Sequence, residues 1–338
     1  MSERDARARD FLRDAGWDGA ARAPLAGDAS NRRYERLRHP GTGAGAVLMD
    51  APPERGEDLR PFLAIAAFLS AQGLSAPAVL AADPQSGFCL LEDLGDALFA
   101  RVVARDRAAE TPLYAAATDV LLALGRADPP PLDHYGPSLM TELAALAFDK
   151  YRAGILGDDG GDDGGAARAR FTARFEDILR ETTQGHDVVA LRDYHAENLI
   201  WLPERDGIAR VGLLDFQDAM LAHPAYDLVS LLQDARRDVP AEIELAMTRR
   251  FVEGSGLDDH GFRTAYAVLG VQRNLRILGV FARLGTDYGK PHYVDLIPRV
   301  WTHLRRGLDH PALAPVADLL LAALPAPEPA ALARLRRA

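Results

Sequence analysis

The sequence predicts an α+β protein of two lobes, an antiparallel-sheet lobe followed by a mostly helical one. Three observations predict it. Short aliphatic runs separated by Gly, Pro, Asp and Asn fill the first ninety residues. Beyond Gly95, apolar residues recur every three or four positions almost to the end. Inside that helical half, residues 187–191 and 208–214 break the pattern as two runs too short for helices. The lobes are expected at residues 1–94 and 95–338.

Residues 5–15 read as a short helix with Phe11, Leu12 and Ala15 on one face, expected to pack on the first lobe. From Ala21, two short strands joined by GDASN are followed by the turn HPGTG and a third strand, AVLMD. Gly27, Ala29 and Ser30 leave room for backbone amides to approach a polyphosphate, although the same residues are ordinary turn chemistry. Residues 55–72 carry Leu59, Phe62, Leu63, Ala66 and Leu69 at helical spacing, with Gly73 as the stop. APAVLAAD and SGFCLLEDLG read as two further strands around DPQSG, and sheet character ends at Glu92, Asp93, Leu94 and Gly95.

Helices are then expected near 96–104, 107–126, 139–155 and 166–183, interrupted by the stiff connector DPPPLDHYGP. GDDGGDDGG at 157–165 lacks the alternating ligands and closing Glu of a calcium loop, and reads as a mobile linker. Residues 187–191 and 208–214 are strand-like. HPAYDLVSLLQDARR starts another helix, and others follow near 240–254, 260–285, 290–307 and 311–323.

Composition narrows the function classes. With 48% hydrophobic and 26% charged residues among 338, the chain can bury a sizeable core. One cysteine, Cys89, lies in an apolar run, so no internal disulfide forms and a reducing, cytoplasmic home is expected. The N-terminal stretch mixes both charge signs and lacks a signal peptide's apolar segment. No run of about 18 apolar residues is present to span a membrane. A net charge of -10 argues against nonspecific binding to nucleic acid or anionic membranes. A monomer is expected.

The chemistry concentrates in LRDYHAENLIWLPERDGIARVGLLDFQD. Asp193 follows a short apolar run, Asn198 comes five residues later, and Asp215 closes the run VGLLD seventeen residues beyond that. Three oxygen-bearing side chains at these spacings are what ATP-dependent phosphoryl transfer needs: one to orient the attacking hydroxyl and two to hold magnesium against the phosphates. Singly, Asp and Asn are common turn residues. Jointly, the spacing and strand context point to the site.

Here the chain resembles the protein-kinase-like superfamily, and within it the aminoglycoside phosphotransferase and choline kinase group. RDYHAEN resembles the catalytic loop, LDFQDA the metal loop, and HPAYDLVSLL the segment after it. The resemblance implies ATP and Mg²⁺, Asp193 as the catalytic base or hydroxyl-orienting group, and Asn198 and Asp215 as magnesium ligands. It implies that Asp227 holds the catalytic loop through backbone amides, while a helix N-terminal acid is the plainer reading of that residue. Gly27, Asp28, Ser30, Asn31, Arg32 and Arg33 would lie on the ATP side, and Glu92 and Leu94 would meet adenine through backbone groups.

DASNRRYERL, LLEDLGD, RDYHAENLIWLP and VQRNLRILGVFARL further resemble the anomeric N-acetylmuramate/N-acetylglucosamine kinases of cell-wall recycling. That implies phosphorylation of an amino sugar at its C1 hydroxyl. Tyr194, His195, Gln217 and Asp218 flank the reacting groups and are expected near the acceptor. Arg273 and Arg276, embedded in an apolar helix, either face the acceptor or form structural ion pairs. The negative net charge keeps an aminoglycoside or amino-alcohol acceptor open.

One departure stands out. Met49 lies where such kinases carry a lysine, and Lys150 and Lys290 are the only lysines in the chain. Arg32 and Arg33 are the nearest substitute cations. The same gap leaves open a nucleotide-binding pseudokinase.

Overall fold

The computed structural model describes residues 3–25, 31–157, 161–185 and 187–336. The chain packs as two compact units, Met1–Ala123 with Ala196–Ala219, and Leu124–His195 with Met220–Ala338. It opens with α1 (Glu3–Asp14), β1 (Ala21–Leu25), β2 (Arg33–Arg38), β3 (Gly45–Asp50), α2 (Arg60–Ala71), β4 (Val79–Asp83), β5 (Phe88–Glu92), α3 (Phe99–Arg105) and α4 (Glu110–Leu124). The second unit then takes α5 (Pro137–Ala144), a π-helical stretch at Ala147–Arg152, α6 (Ala153–Leu156), α7 (Gly161–Thr182) and β6 (Val188–Ala190). β7 (Leu199–Trp201) and β8 (Val211–Leu213) return to the first unit. β9 (Met220–Ala222), α8 (Ala225–Leu232), α9 (Ala241–Ser255), α10 (Asp259–Thr286), α11 (Ile297–Leu308), α12 (Ala314–Ala323) and α13 (Pro329–Leu335) complete the second.

In the first unit the five strands form one antiparallel sheet in the order β1-β2-β3-β5-β4. α1 covers one of its faces. Ala8 and Leu12 are buried against Leu37, Ala46, Leu48, Phe88 and Leu90, and the Phe11 ring stacks on Phe88 at 5.7 Å. Removing the Leu12 side chain to Ala would cost about 2–5 kcal/mol, as at other buried leucines. Cys89 is wholly buried on β5, and burial pushes its thiol up to about 12, so it stays an inert thiol.

The second unit is built around α10. Its residues from Val268 through Leu275 are buried without a break, so the helix is enclosed on all sides. Gly279 is required where the π-helical stretch crosses it, because an added Cβ would come within 2.4 Å of the Leu146 backbone. Among the described residues no helix is long and apolar enough to cross a membrane.

α3 packs within the first unit, where Ala100 N–H donates to the Ala196 carbonyl at 3.1 Å and Trp201 N–H to the Ala97 carbonyl at 2.8 Å. Two features differ from expectation. Residues 161–165 of the Gly/Asp run open α7, with Gly164 set so close to the Arg152 guanidinium that a Cβ would meet it at 2.4 Å, while residues 158–160 lie outside the described residues. β9 and α13 had no counterpart among the expected elements, being three and seven residues long.

Candidate active site

In the first unit, β7 and β8 form a short antiparallel hairpin whose open end carries Asn198 and Asp215. Leu214 N–H donates to the Asn198 carbonyl at 3.0 Å, which sets the two residues side by side. Leu213 N–H donates to the Ser75 carbonyl at 2.9 Å, tying the hairpin to the segment before β4. Phe216, fully buried, stacks on Phe62 of α2 with centroids 5.0 Å apart. The apolar side chain beside Asp215 thereby fixes the backbone while the aspartate stays half-buried.

Asp215 has φ 58°, a left-handed conformation that costs a non-glycine residue about 1–3 kcal/mol. Among the described residues only Arg192 shares this property, at φ 71°. Both strained positions fall in the motif read from the sequence. Gln217 Nε2 donates to Asp215 Oδ1 at 2.7 Å, so Gln217 orients that carboxylate, and Asp218 is exposed.

Asn198 and Asp215 offer hard oxygen donors from adjacent positions. Among the described residues no group of three or more His, Cys, Asp and Glu could hold an ion. A pair of oxygen ligands suits Mg²⁺, which keeps waters and takes substrate phosphates for the rest of its octahedron. The residues fit the ion.

Of the expected phosphate-side residues, Gly27, Asp28 and Ser30 lie outside the described residues. Arg32 is nearly buried, and its Nε donates to Glu57 at 2.8 Å. Burial weighs most against its charge, but Glu57 and Tyr34 together outweigh it and raise the guanidinium pKa. Asn31 N–H also donates to Glu57, at 3.2 Å, and its side-chain amide donates to the Arg55 carbonyl at 3.2 Å. Arg33 is exposed at the start of β2, opposite Asp50. Met49 is completely buried and brings no cation.

Glu92 ends β5. Its carboxylate pairs with Arg205 of the β7–β8 connection, and Arg205 Nη1 also donates to Ser75 Oγ at 2.7 Å. Leu94 packs on the same hairpin: a Cβ added at Gly212 would stand 3.1 Å from its side chain. The end of β5 and the Asn198/Asp215 pair are thus fastened into one frame within the first unit.

The second unit holds Asp193. β6 pairs with β9, and the chain leaving β6 is caught by Asp227 at the start of α8. Asp227 accepts from Leu191 N–H at 2.6 Å and from Arg192 N–H at 2.9 Å. Complete burial pushes its carboxyl up to about 7, against the pull of those two amides. The Arg192 guanidinium lies 5.1 Å from the Tyr135 ring centroid, and the Arg192 carbonyl accepts from Ser230 Oγ at 3.3 Å. These contacts hold the residue before Asp193 in its left-handed turn.

Asp193 is half-buried, and its charge acts on both Arg273 and Arg276 of α10. Arg273 is buried and donates to the Gln233 carbonyl at 3.4 Å. Burial lowers its pKa, while Tyr226, Asp193 and Asp234 oppose that shift. Burial also works against Arg276, yet Tyr226, Tyr135 and Asp193 together hold its pKa above the ordinary value. Its Nη1 donates to Tyr226 Oη at 3.4 Å. Tyr194 and His195 are buried rather than open to solvent. Burial first, and then Arg236 and Arg273, push the His195 pKa well below its usual value, leaving a neutral imidazole.

Four charged residues of this construction were not anticipated: Glu57, Arg205, Asp234 and Arg236. Glu57 carries no local signal, since its partner is 25 residues away. Asp234 and Arg236 sit in QDARR at the end of a helical pattern, where acids and bases are ordinary.

Residues 22–263 match the family model described as the phosphotransferase enzyme family. An N-acetylmuramate/N-acetylglucosamine kinase of Caulobacter vibrioides is 44% identical over 93% of this chain and 94% of its own length. One of the same name from Pseudomonas aeruginosa is 33% identical over 89% of this chain and 88% of its own. Among solved structures, a choline/ethanolamine kinase family protein from Mesorhizobium loti superposes with a TM-score of 0.63 at 15% identity, covering 98% of this chain and 99% of that one.

Proposed function

The chain belongs to the phosphotransferase enzyme family, and from that premise we propose that it is an ATP-dependent kinase acting on the anomeric C1 hydroxyl of an amino sugar, N-acetylmuramate or N-acetylglucosamine. The observation that carries the acceptor is the likeness, over nearly the whole chain, to relatives named for those two sugars. The reaction is a cytoplasmic step in the recycling of cell-wall sugars, and the nucleotide-binding lobe corresponds to residues 1–94.

In this reading Asp193 accepts a hydrogen bond from the sugar hydroxyl, orients it toward the γ-phosphate and takes its proton as the sugar O–P bond forms and the γ-phosphate's bond to the ADP leaving group breaks. Asp227 keeps that loop in place through the Leu191 and Arg192 amides. Asn198 and Asp215 hold Mg²⁺, with Gln217 fixing the Asp215 carboxylate. The bound ion supplies charge neutralisation at the phosphates. Arg32, braced by Glu57, is the cation on the phosphate side in place of the missing lysine, and Glu92 and Leu94 meet adenine. Catalysis is then positioning and charge stabilisation.

The net charge of -10 favours a second acceptor class, a polycationic aminoglycoside or an amino alcohol. The arginines around Asp193 favour the sugar. ATP consumption against N-acetylmuramate, N-acetylglucosamine, aminoglycosides and choline separates these readings, and a phosphorus NMR signal of a sugar 1-phosphate is the expected product. Phosphate on another hydroxyl would defeat the anomeric assignment. No turnover with any acceptor, alongside nucleotide binding, would favour the pseudokinase that Met49 suggests.

A further inference from the structure

We propose that Arg236 reads the carboxylate of an acidic amino-sugar acceptor, an inference that rests on the function proposed above and deepens it. N-acetylmuramate differs from N-acetylglucosamine by a lactyl ether that ends in a carboxylate. A site that accepts both must either ignore that charge or meet it with a cation able to reach solvent.

Arg273 and Arg276 do not suit that task, one being buried in the helix packing and the other committed to the Tyr226 hydroxyl. Arg236, on the turn after α8, is exposed, and its Nη1 lies 3.2 Å from Nε2 of the buried His195. His195 stands two residues from Asp193. Arginine has no acceptor, so the imidazole receives this hydrogen bond on Nε2 and carries its own proton on Nδ1. Burial and the two neighbouring arginines keep the ring neutral, which makes it a fixed support that adds no competing charge.

The backbone of Arg236 is fixed as well. Its N–H donates to Asp234 Oδ1 at 2.8 Å, and Asp234 is buried among the charges of Arg236, Arg273 and Arg237. Among the described residues no carboxylate forms an ion pair with the Arg236 guanidinium. Two arginines of α11 contrast with it: Arg299 pairs with Asp238 at 2.6 Å and Arg306 with Glu244 at 2.8 Å. Arg236 is therefore a preorganised, exposed cation held on a neutral acceptor beside the catalytic loop. One edge of its fork is occupied by His195, and the remaining N–H groups match a carboxylate.

Steady-state kinetics on both sugars with wild type, Arg236→Met and Arg236→Lys tests this, with thermal unfolding confirming that the variants fold. Arg236→Met is expected to raise KM for N-acetylmuramate about 10- to 100-fold, the loss of one charge-assisted pair. KM for N-acetylglucosamine should change less than about 3-fold, and Arg236→Lys should recover part of the loss because it keeps the charge without the fork. Equal effects on both sugars, or none, overturn the proposal. Calorimetric titration of each sugar separates this failure from that of the function itself. If wild type phosphorylates neither sugar, the function fails. Arg236 as carboxylate reader is still upheld by tighter binding of the acidic sugar that Arg236→Met abolishes, and is overturned if the two sugars bind alike.

Discussion

The two sides of the motif are held by opposite means. In the first unit, Asn198 and Asp215 are placed by backbone: a three-residue hairpin, hydrogen bonds to Ser75 and Ala97, and one left-handed residue anchored by a buried phenylalanine. In the second, Asp193 is placed by side chains from distant segments, with Asp227 on its loop amides and arginines of α10 within the reach of its charge. A backbone device needs few residue types at fixed spacing, so it carries its identity in a short string. A side-chain device is assembled from positions tens of residues apart, each unremarkable where it stands.

If the units divide the work as their residues suggest, their variants should fail differently. The largest effect is expected for Asp193→Ala, with kcat falling about 10³-fold or more as the hydroxyl loses its base, while calorimetry shows ATP·Mg²⁺ affinity within about 3-fold of wild type. A variant that retains activity, or that loses nucleotide affinity instead, breaks the division. Asp215→Ala should do the reverse, weakening Mg²⁺-dependent ATP binding about 10- to 100-fold, the scale seen when metal-site groups are removed, and leaving sugar binding in place. Equal losses of both ligands would show that the two halves are not separable.

A smaller effect sharpens the picture of the second unit. Asp227 has a folded pKa of about 7, above its unfolded value, so its protonated form adds stability that is complete below about pH 4 and is lost as pH rises to about 7. In urea titrations, wild type minus Asp227→Asn should therefore fall with rising pH through that window. A difference that grows instead would mean that the two amide donors outweigh burial and keep the group ionised in the fold.

Much of the fold could be read directly. The order of five strands and the first two helices follows from alternation and turn residues, and α10 from its unbroken apolar spacing. The departures have physical causes. β9 pairs with β6 over only three residues, too short for any period to show. Gly161 to Gly165 look like a linker by composition, yet the close approach of Arg152 to Gly164 belongs to a packed helix, and no string of small residues reports its neighbours. On the site, the spacing of Asp193, Asn198 and Asp215 was legible and the Arg32–Glu57 and His195–Arg236 contacts were not, since each joins residues 25 or 41 positions apart.

The sequence by itself determined the family and named a candidate reacting set, because phosphoryl transfer demands particular oxygen ligands at spacings that a hairpin enforces. The tertiary structure alone decided which charges are paired, which are buried and which face solvent. It buried Arg273, tied Arg276 to a tyrosine and left Arg236 exposed on a neutral histidine. Burial and pairing depend on what the rest of the chain brings alongside, and for three arginines within 41 residues of one another the local sequence is silent on that point.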